Sequence, residues 1–276
     1  MNEKTKISSG GKVMANITVK YFSNCLRRQT SFELFLPNDP RADLPQEEGR
    51  GEYRKCPMRT LFLLHGYTGC AGNYVPEYLS EHYHFAVVAP NGENGFWLDG
   101  ISTGHQFATL LGEELPEYLN KTFGLVKSAD DTCILGLSMG GFGALHTGLA
   151  YPDRFGKIGA MSSALIVHEV AGMKPGQGNG VANYEYYREC FGDPEKVLQS
   201  DNNPETLVDK LLSQNKKLPE IYMACGTEDF LLERNREFHR FLEDRKVSHE
   251  YFESKGSHDM TFWNEYTEKI VKWMFA

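Results

Sequence analysis

Gly136-Leu137-Ser138-Met139-Gly140 is a G-x-S-x-G pentapeptide between an apolar run, Cys133-Ile134-Leu135, and a run of small and apolar residues from Gly141 to Ala150. Strand, tight turn and helix in that order are the setting of a nucleophile elbow. A serine on so sharp a turn carries unfavourable backbone angles, and neighbours without side chains leave room for it. The turn holds the hydroxyl at a helix N-terminus. There, unpaired backbone N–H groups and the helix dipole favour a developing negative charge. The pentapeptide alone also describes an ordinary Gly-rich turn after a strand. Its partners elsewhere decide between the two.

Working outward, residues 12–22 and 30–36 alternate polar and apolar, as two antiparallel edge strands do. Residues 37–57 are polar and rich in Pro and Gly, a surface loop. Short apolar runs at 58–64, 85–89, 158–161, 221–225 and 249–252 read as strands. Between them, 75–83, 104–123, 231–244 and 261–274 carry helical spacing. Strands alternating with helices indicate an α/β architecture, a mainly parallel sheet covered on both faces. Residues 162–219 lack strand pattern and contain a Gly-rich segment and short helical pieces. They are expected to form a small cap over the C-terminal edge of the sheet. The whole chain, 1–276, reads as one domain with that insertion, without repeats.

Net charge is −8 with no basic cluster, which argues against nucleic acid or an anionic membrane as partner. No apolar run reaches transmembrane length, and no secretory h-region opens the chain, whose first six residues are polar and expected to fray. The six cysteines are scattered without C-x-x-C pairs, as in reduced cytoplasmic proteins. No ligand cluster has metal spacing, so no metal is expected.

A serine hydroxyl needs a base within hydrogen-bond reach, and the base needs an orienting carboxylate. With a G-x-S-x-G elbow the chain order is Ser, acid, His, each in a loop just past a strand. Asp229, in Gly226-Thr227-Glu228-Asp229, is the candidate acid; Glu228 is its rival, and capping the next helix is its alternative task. His258, in Gly256-Ser257-His258, is the candidate base, against a reading as a surface-loop histidine. Two backbone donors should meet the oxyanion. One is the N–H of Met139; the other is that of Tyr67, with Gly66 as fallback, in His65-Gly66-Tyr67-Thr68-Gly69. His65 itself reads as a structural hydrogen-bonder. Phe96, Trp97 and Phe142 are candidate walls of the substrate pocket, with ordinary core packing as the competing reading.

These stretches resemble a family. His65 to Gly69, Asn73-Tyr74, Pro90-Asn91-Gly92 with Trp97 and Asp99, Gly136 to Leu145, and Tyr151-Pro152-Asp153-Arg154-Phe155 are similar to the esterase D-like esterases. That group includes tributyrin, feruloyl and acetylxylan esterases and S-formylglutathione hydrolases. The resemblance covers nearly all of the chain after the N-terminal strands, and it looks closest to the tributyrin-esterase branch. It implies an α/β-hydrolase fold, the triad Ser138, Asp229 and His258, no cofactor, a small-molecule ester as substrate, and in several members a homo-oligomer. S-formylglutathione hydrolases usually carry Cys and His where this chain has Gly69 and Phe142, which argues against a glutathione thioester, although that activity and feruloyl or acetylxylan esterase activity stay among the alternatives. The expected activity is hydrolysis of short-chain acyl esters. Acyl transfer to an alcohol on the same acyl-enzyme, or a non-catalytic binding protein on the same fold, are the alternatives.

Overall fold

β1 (Met14–Ser23) and β2 (Arg28–Pro37) form an antiparallel hairpin, with Met14 opposite Pro37 and Ser23 opposite Arg28. This is a computed structural model, and it describes residues 14–38 and 57–276. The polar first six residues, the start of the first strand at 12–13, most of the loop expected over 37–57, and Cys56 lie outside the described residues.

The other strands are β3 (Arg59–Leu64), β4 (Phe85–Pro90), β5 (Thr132–Leu137), β6 (Lys157–Met161), β7 (Glu220–Gly226) and β8 (Glu250–Ser254). All eight form one sheet in the order β1-β2-β4-β3-β5-β6-β7-β8. β2 pairs antiparallel with β4, and every pairing from β4 to β8 is parallel. Strands β4 and β5 are buried along their whole length, which is why they read as continuous apolar runs.

The sheet divides the core in two. On one face α1 (Glu77–Tyr83) and the closing helix α9 (Met260–Phe275) bury Leu79, Ile270 and Phe275, with the Phe275 ring stacked on Phe85 at 4.1 Å. The other face carries α2 (Phe107–Thr109), α3 (Leu115–Phe123), the elbow helix α4 (Met139–Ala150) and α8 (Leu232–Asp244). The helix expected over 104–123 starts at Phe107 and is interrupted by a π-helical turn, Leu110–Glu114, before α3. Pro116 near the start of α3 has no N–H to continue the α-helical ladder. The Leu115 N–H reaches back to the Leu110 carbonyl in the wider pattern instead.

Residues 162–219 contain three α-helices, α5 (Val167–Val170), α6 (Tyr184–Phe191) and α7 (Pro204–Ser213), and a 3-10 turn, Val197–Gln199. Asn183 and Asn203 cap α6 and α7 by accepting the N–H groups of Tyr186 and Glu205. Among the described residues no helix is long and apolar enough to cross a membrane. Cys25, Cys70, Cys133, Cys190 and Cys225 are free thiols.

Candidate active site

β5 ends at Leu137 and α4 begins at Met139, so Ser138 alone makes the turn between them. It does so at φ 55° and ψ −119°, a conformation that side chains strain to adopt. Neighbouring backbone holds it there. The Ser138 N–H donates to the Met161 carbonyl at 2.9 Å, and its carbonyl accepts the N–H groups of Phe142 and Ala164. The flanking glycines are required by close approach. A Cβ on Gly136 would stand 2.0 Å from the Gly140 carbonyl oxygen, and one on Gly140 would stand 2.3 Å from that of Leu64.

His258 follows β8 and Asp229 follows β7. The His258 Nδ1–H donates to Asp229 Oδ2 at 2.9 Å and lies 3.1 Å from Oδ1. With its proton on Nδ1, the imidazole offers the Nε2 lone pair to the Ser138 hydroxyl, 3.0 Å away. Asp229 also accepts the Leu231 N–H at 2.9 Å, so orienting the imidazole and capping the chain ahead of α8 are tasks of one carboxylate. Burial would push its pKa up, but the hydrogen bonds from His258, Leu231 and Ser162 outweigh that and hold it below the usual carboxylate range. Glu228 is exposed.

The imidazole is packed from two sides. Trp263 meets it edge-on at 4.8 Å and Phe230 lies against it at 4.6 Å. The Trp263 indole N–H donates to Ser162 Oγ at 3.0 Å, which ties α9 to the end of β6. Sequence reasoning missed Ser162, Trp263 and Phe230. A signal existed for two of them: Ser162 directly follows a parallel strand, and Phe230 adjoins the candidate acid.

The loop from His65 to Gly69, expected to supply an oxyanion donor, follows β3. His65 Nε2 accepts the Gly92 N–H at 3.0 Å, so its Nδ1–H donates to the Gly66 carbonyl at 2.8 Å. Both ring nitrogens are thus occupied in shaping the loop, and burial lowers the ring's pKa. Gly66 packs against the elbow, where an added Cβ would lie 3.4 Å from Ser138 Cβ. The N–H groups of Tyr67 and Met139 have no acceptor among the described residues.

A cavity of about 690 Å³ opens over Ser138. Its floor includes Tyr67, Ser138, Met139 and His258; residues 162–219 supply Ile166, Glu169, Asn179, Val181 and Tyr187 to its wall. Of the three aromatics expected there, only Phe96 lines it. Trp97 and Phe142 are fully buried beneath. Trp97 is held by its indole N–H donating to the His65 carbonyl at 3.2 Å, and Phe142 packs edge-on against Phe96. Both therefore support the site from the core and leave its wall to Phe230, Val181 and Tyr187. Among the described residues no cluster of His, Cys, Asp or Glu has the arrangement to hold a metal ion.

Residues 52–274 match the model of a family described as "Putative esterase". The chain is 38% identical over 267 residues to an acetyl esterase of Caldicellulosiruptor saccharolyticus, covering 95% of this chain and 98% of that one. Among solved structures, the fluorophosphonate-binding serine hydrolase FphF of Staphylococcus aureus superposes with TM-score 0.80 at 24% identity, covering 96% of this chain and 100% of that one. The S-formylglutathione hydrolase FrmB of the same organism superposes with TM-score 0.77 at 24% identity, covering 95% and 99%. At those identities the two structures speak to the fold, which is the α/β-hydrolase fold.

Proposed function

The chain belongs to the esterase family and is a carboxylic ester hydrolase, and on that premise we propose that it cleaves short-chain acyl esters, acetyl esters foremost, through an acyl-enzyme on Ser138. The observation that carries this reading is the hydrogen-bonded series from Ser138 Oγ through His258 to Asp229 on the floor of a largely apolar cavity. The acetyl preference draws on the 38% identical relative.

His258 Nε2 takes the Ser138 proton as Oγ bonds to the ester carbonyl carbon. The carbonyl oxygen becomes an oxyanion facing the N–H groups of Met139 and Tyr67, which are unspent in the resting protein. Each such donor is worth about 3 kcal/mol of the barrier in comparable sites. The imidazolium then protonates the departing alkoxide, and the Asp229 carboxylate steadies the positive ring. Water repeats the attack with the same base, and Ser138 leaves as the free hydroxyl. Residues 162–219 act as the cap of a single domain, and their wall sets which acyl and alcohol groups fit. An apolar wall distinguishes one methylene by only about 1–3 kcal/mol, so several short acyl chains should be accepted.

The test is a panel of p-nitrophenyl esters from acetate to octanoate with the natural protein and Ser138→Ala. Burst and steady-state release are expected from the short esters and absent in the variant. Unchanged turnover in a folded Ser138→Ala protein would overturn the assignment.

A further inference from the structure

Glu169 contributes the carboxylate of the cavity wall, and no Lys, Arg or Asp joins it among the described lining residues. Its Oε1 accepts Arg234 Nε at 2.7 Å. That guanidinium is not Glu169's alone: Arg234 Nη1 also donates to both carboxylate oxygens of Glu237, at 3.1 and 3.0 Å. One cation between two carboxylates leaves the trio with a net charge of −1. Oε2 of Glu169 has no hydrogen-bond donor among the described residues, so the unbalanced charge is available to whatever fills the cavity.

The chain connects the trio to the imidazole side of the cavity. Arg234 stands on the first turn of α8, directly after Asp229, Phe230 and Leu231. Phe230 lies against His258, and both line the cavity with Glu169. In acyl transfer the imidazole delivers its proton to the leaving oxygen, so the alcohol departs along the imidazole's flank. We propose that Glu169 selects the alcohol portion of the ester by charge, favouring cationic over neutral over carboxylated alcohols. This rests on the serine-esterase reading above.

The expected size is modest. The Glu169 and Arg234 side chains are 39% and 32% exposed, so water and salt screen them. A cation-to-anion preference of roughly three- to tenfold is expected at low ionic strength. It should fade toward unity at about 0.5 M salt.

The experiment measures kcat/KM for para-substituted aryl acetates in two isosteric pairs, trimethylammonium against tert-butyl and carboxylate against nitro, so that each charged ester is compared with a neutral one of its own shape. The cation-to-anion ratio is the quotient of the two comparisons. Each rate is divided by that ester's hydroxide-catalysed rate to remove leaving-group reactivity. Two variants carry predictions of opposite sign. Glu169→Gln should lower the cation-to-anion ratio, and Arg234→Gln should raise it by stripping the carboxylates of their partner. The ratio is taken within each variant, so a general loss of activity cancels. A purely structural ion pair would move both ratios together or neither, and either result overturns the proposal. Normal turnover of the tert-butyl ester with a ratio of one in the natural protein sinks charge selection alone. No turnover of that neutral ester would instead sink the esterase reading beneath it.

Discussion

The loops that follow β5, β7 and β8 and the segment 162–219, the proposed cap, line one cavity together, and they are built in opposite ways. The strand-end loops are short and fixed by backbone. Ser138 is held by three main-chain hydrogen bonds, Thr227 N–H donates to the Ser254 carbonyl, and Glu228 N–H donates to that of Gly256. The last two bonds lash the Asp229 loop to the His258 loop. Segment 162–219 reaches the cavity with side chains on α5, on the 172–183 loop and on α6, and Val181 in that loop is 60% exposed. Groups that must keep hydrogen-bond distances sit where the sheet over-determines them. Groups proposed to choose among substrates sit where a residue can change without disturbing the sheet. Substitutions on the two sides should therefore differ in kind: large losses of kcat from one, small shifts in selectivity from the other.

The sharpest break of that contrast would come from Asp229. Asp229→Asn keeps the size and can still accept the Leu231 N–H, but it no longer holds the His258 proton on Nδ1. The imidazole can then turn its Nδ1 lone pair to the amide and present the wrong tautomer to Ser138. We expect kcat for p-nitrophenyl acetate to fall by roughly 10³- to 10⁴-fold, with KM little changed. A loss of only a few-fold would mean that the carboxylate serves the turn before α8 and that the strand-end loops hold less chemistry than their geometry suggests.

Much of that side could be read in advance because its logic is local. A strand running into a glycine-bearing turn is visible in the sequence: Ser138 follows β5 with Gly136 beside its end, Asp229 follows β7, which ends on Gly226, and His258 follows β8 and Gly256. The observed boundaries of β3 to β8 fall within two residues of the apolar runs that announced them. Segment 162–219 was legible as a stretch without strand pattern that carries short helical pieces, and two of these are α6 and α7; the four-residue α5 was not, since so short a helix is set by what it lies on. Phe96, Trp97 and Phe142 show why wall and core are hard to tell apart. All three are large, apolar and in contact with the same cluster, and only the direction of each side chain decides which meets solvent. The π turn had a written cause in Pro116, but a proline near a helix start is also an ordinary opening residue.

A milder effect is expected where the two regions are joined. His146 projects from α4, and its Nε2–H donates to the Asp201 carbonyl of the cap segment at 3.0 Å. Its Nδ1 is buried without a partner among the described residues, so a second proton would have nowhere to be solvated. Burial pushes the ring's pKa down to about 4, against the smaller opposing pull of the Asp201 carbonyl and the Asp99 and Asp201 charges. The folded pKa lies below the unfolded value near 6.5, so the stabilisation is complete above that value. It is lost as pH falls from there toward 4, by at most roughly 3 kcal/mol. His146→Gln keeps a donor for Asp201 and does not titrate. Thermal midpoints from pH 7.5 to 4 should therefore converge, with the natural protein losing its lead over the variant on acidification. Parallel curves would show that this joint does not feel pH.

The smallest effect belongs to the rim. Phe230 is 76% exposed, touches the imidazole on one side and lines the cavity on the other. An aromatic ring left that open contributes little to the core, so Phe230→Ala should move the thermal midpoint by no more than about 1–2 °C. Its use lies in the surface it offers to a leaving group. Phenyl acetate covers that ring more fully than ethyl acetate, so the variant should lose roughly three- to tenfold in kcat/KM for the aryl ester. The ethyl ester should be nearly unaffected. The ratio between the two esters is the informative quantity, because a displaced imidazole would slow both alike. Equal losses would place Phe230 with the strand-end loops as a support of His258; unequal losses place it with the cap, although it follows Asp229 directly in the chain. The boundary between the two regions would then run between adjacent residues, drawn by side-chain direction and not by secondary structure.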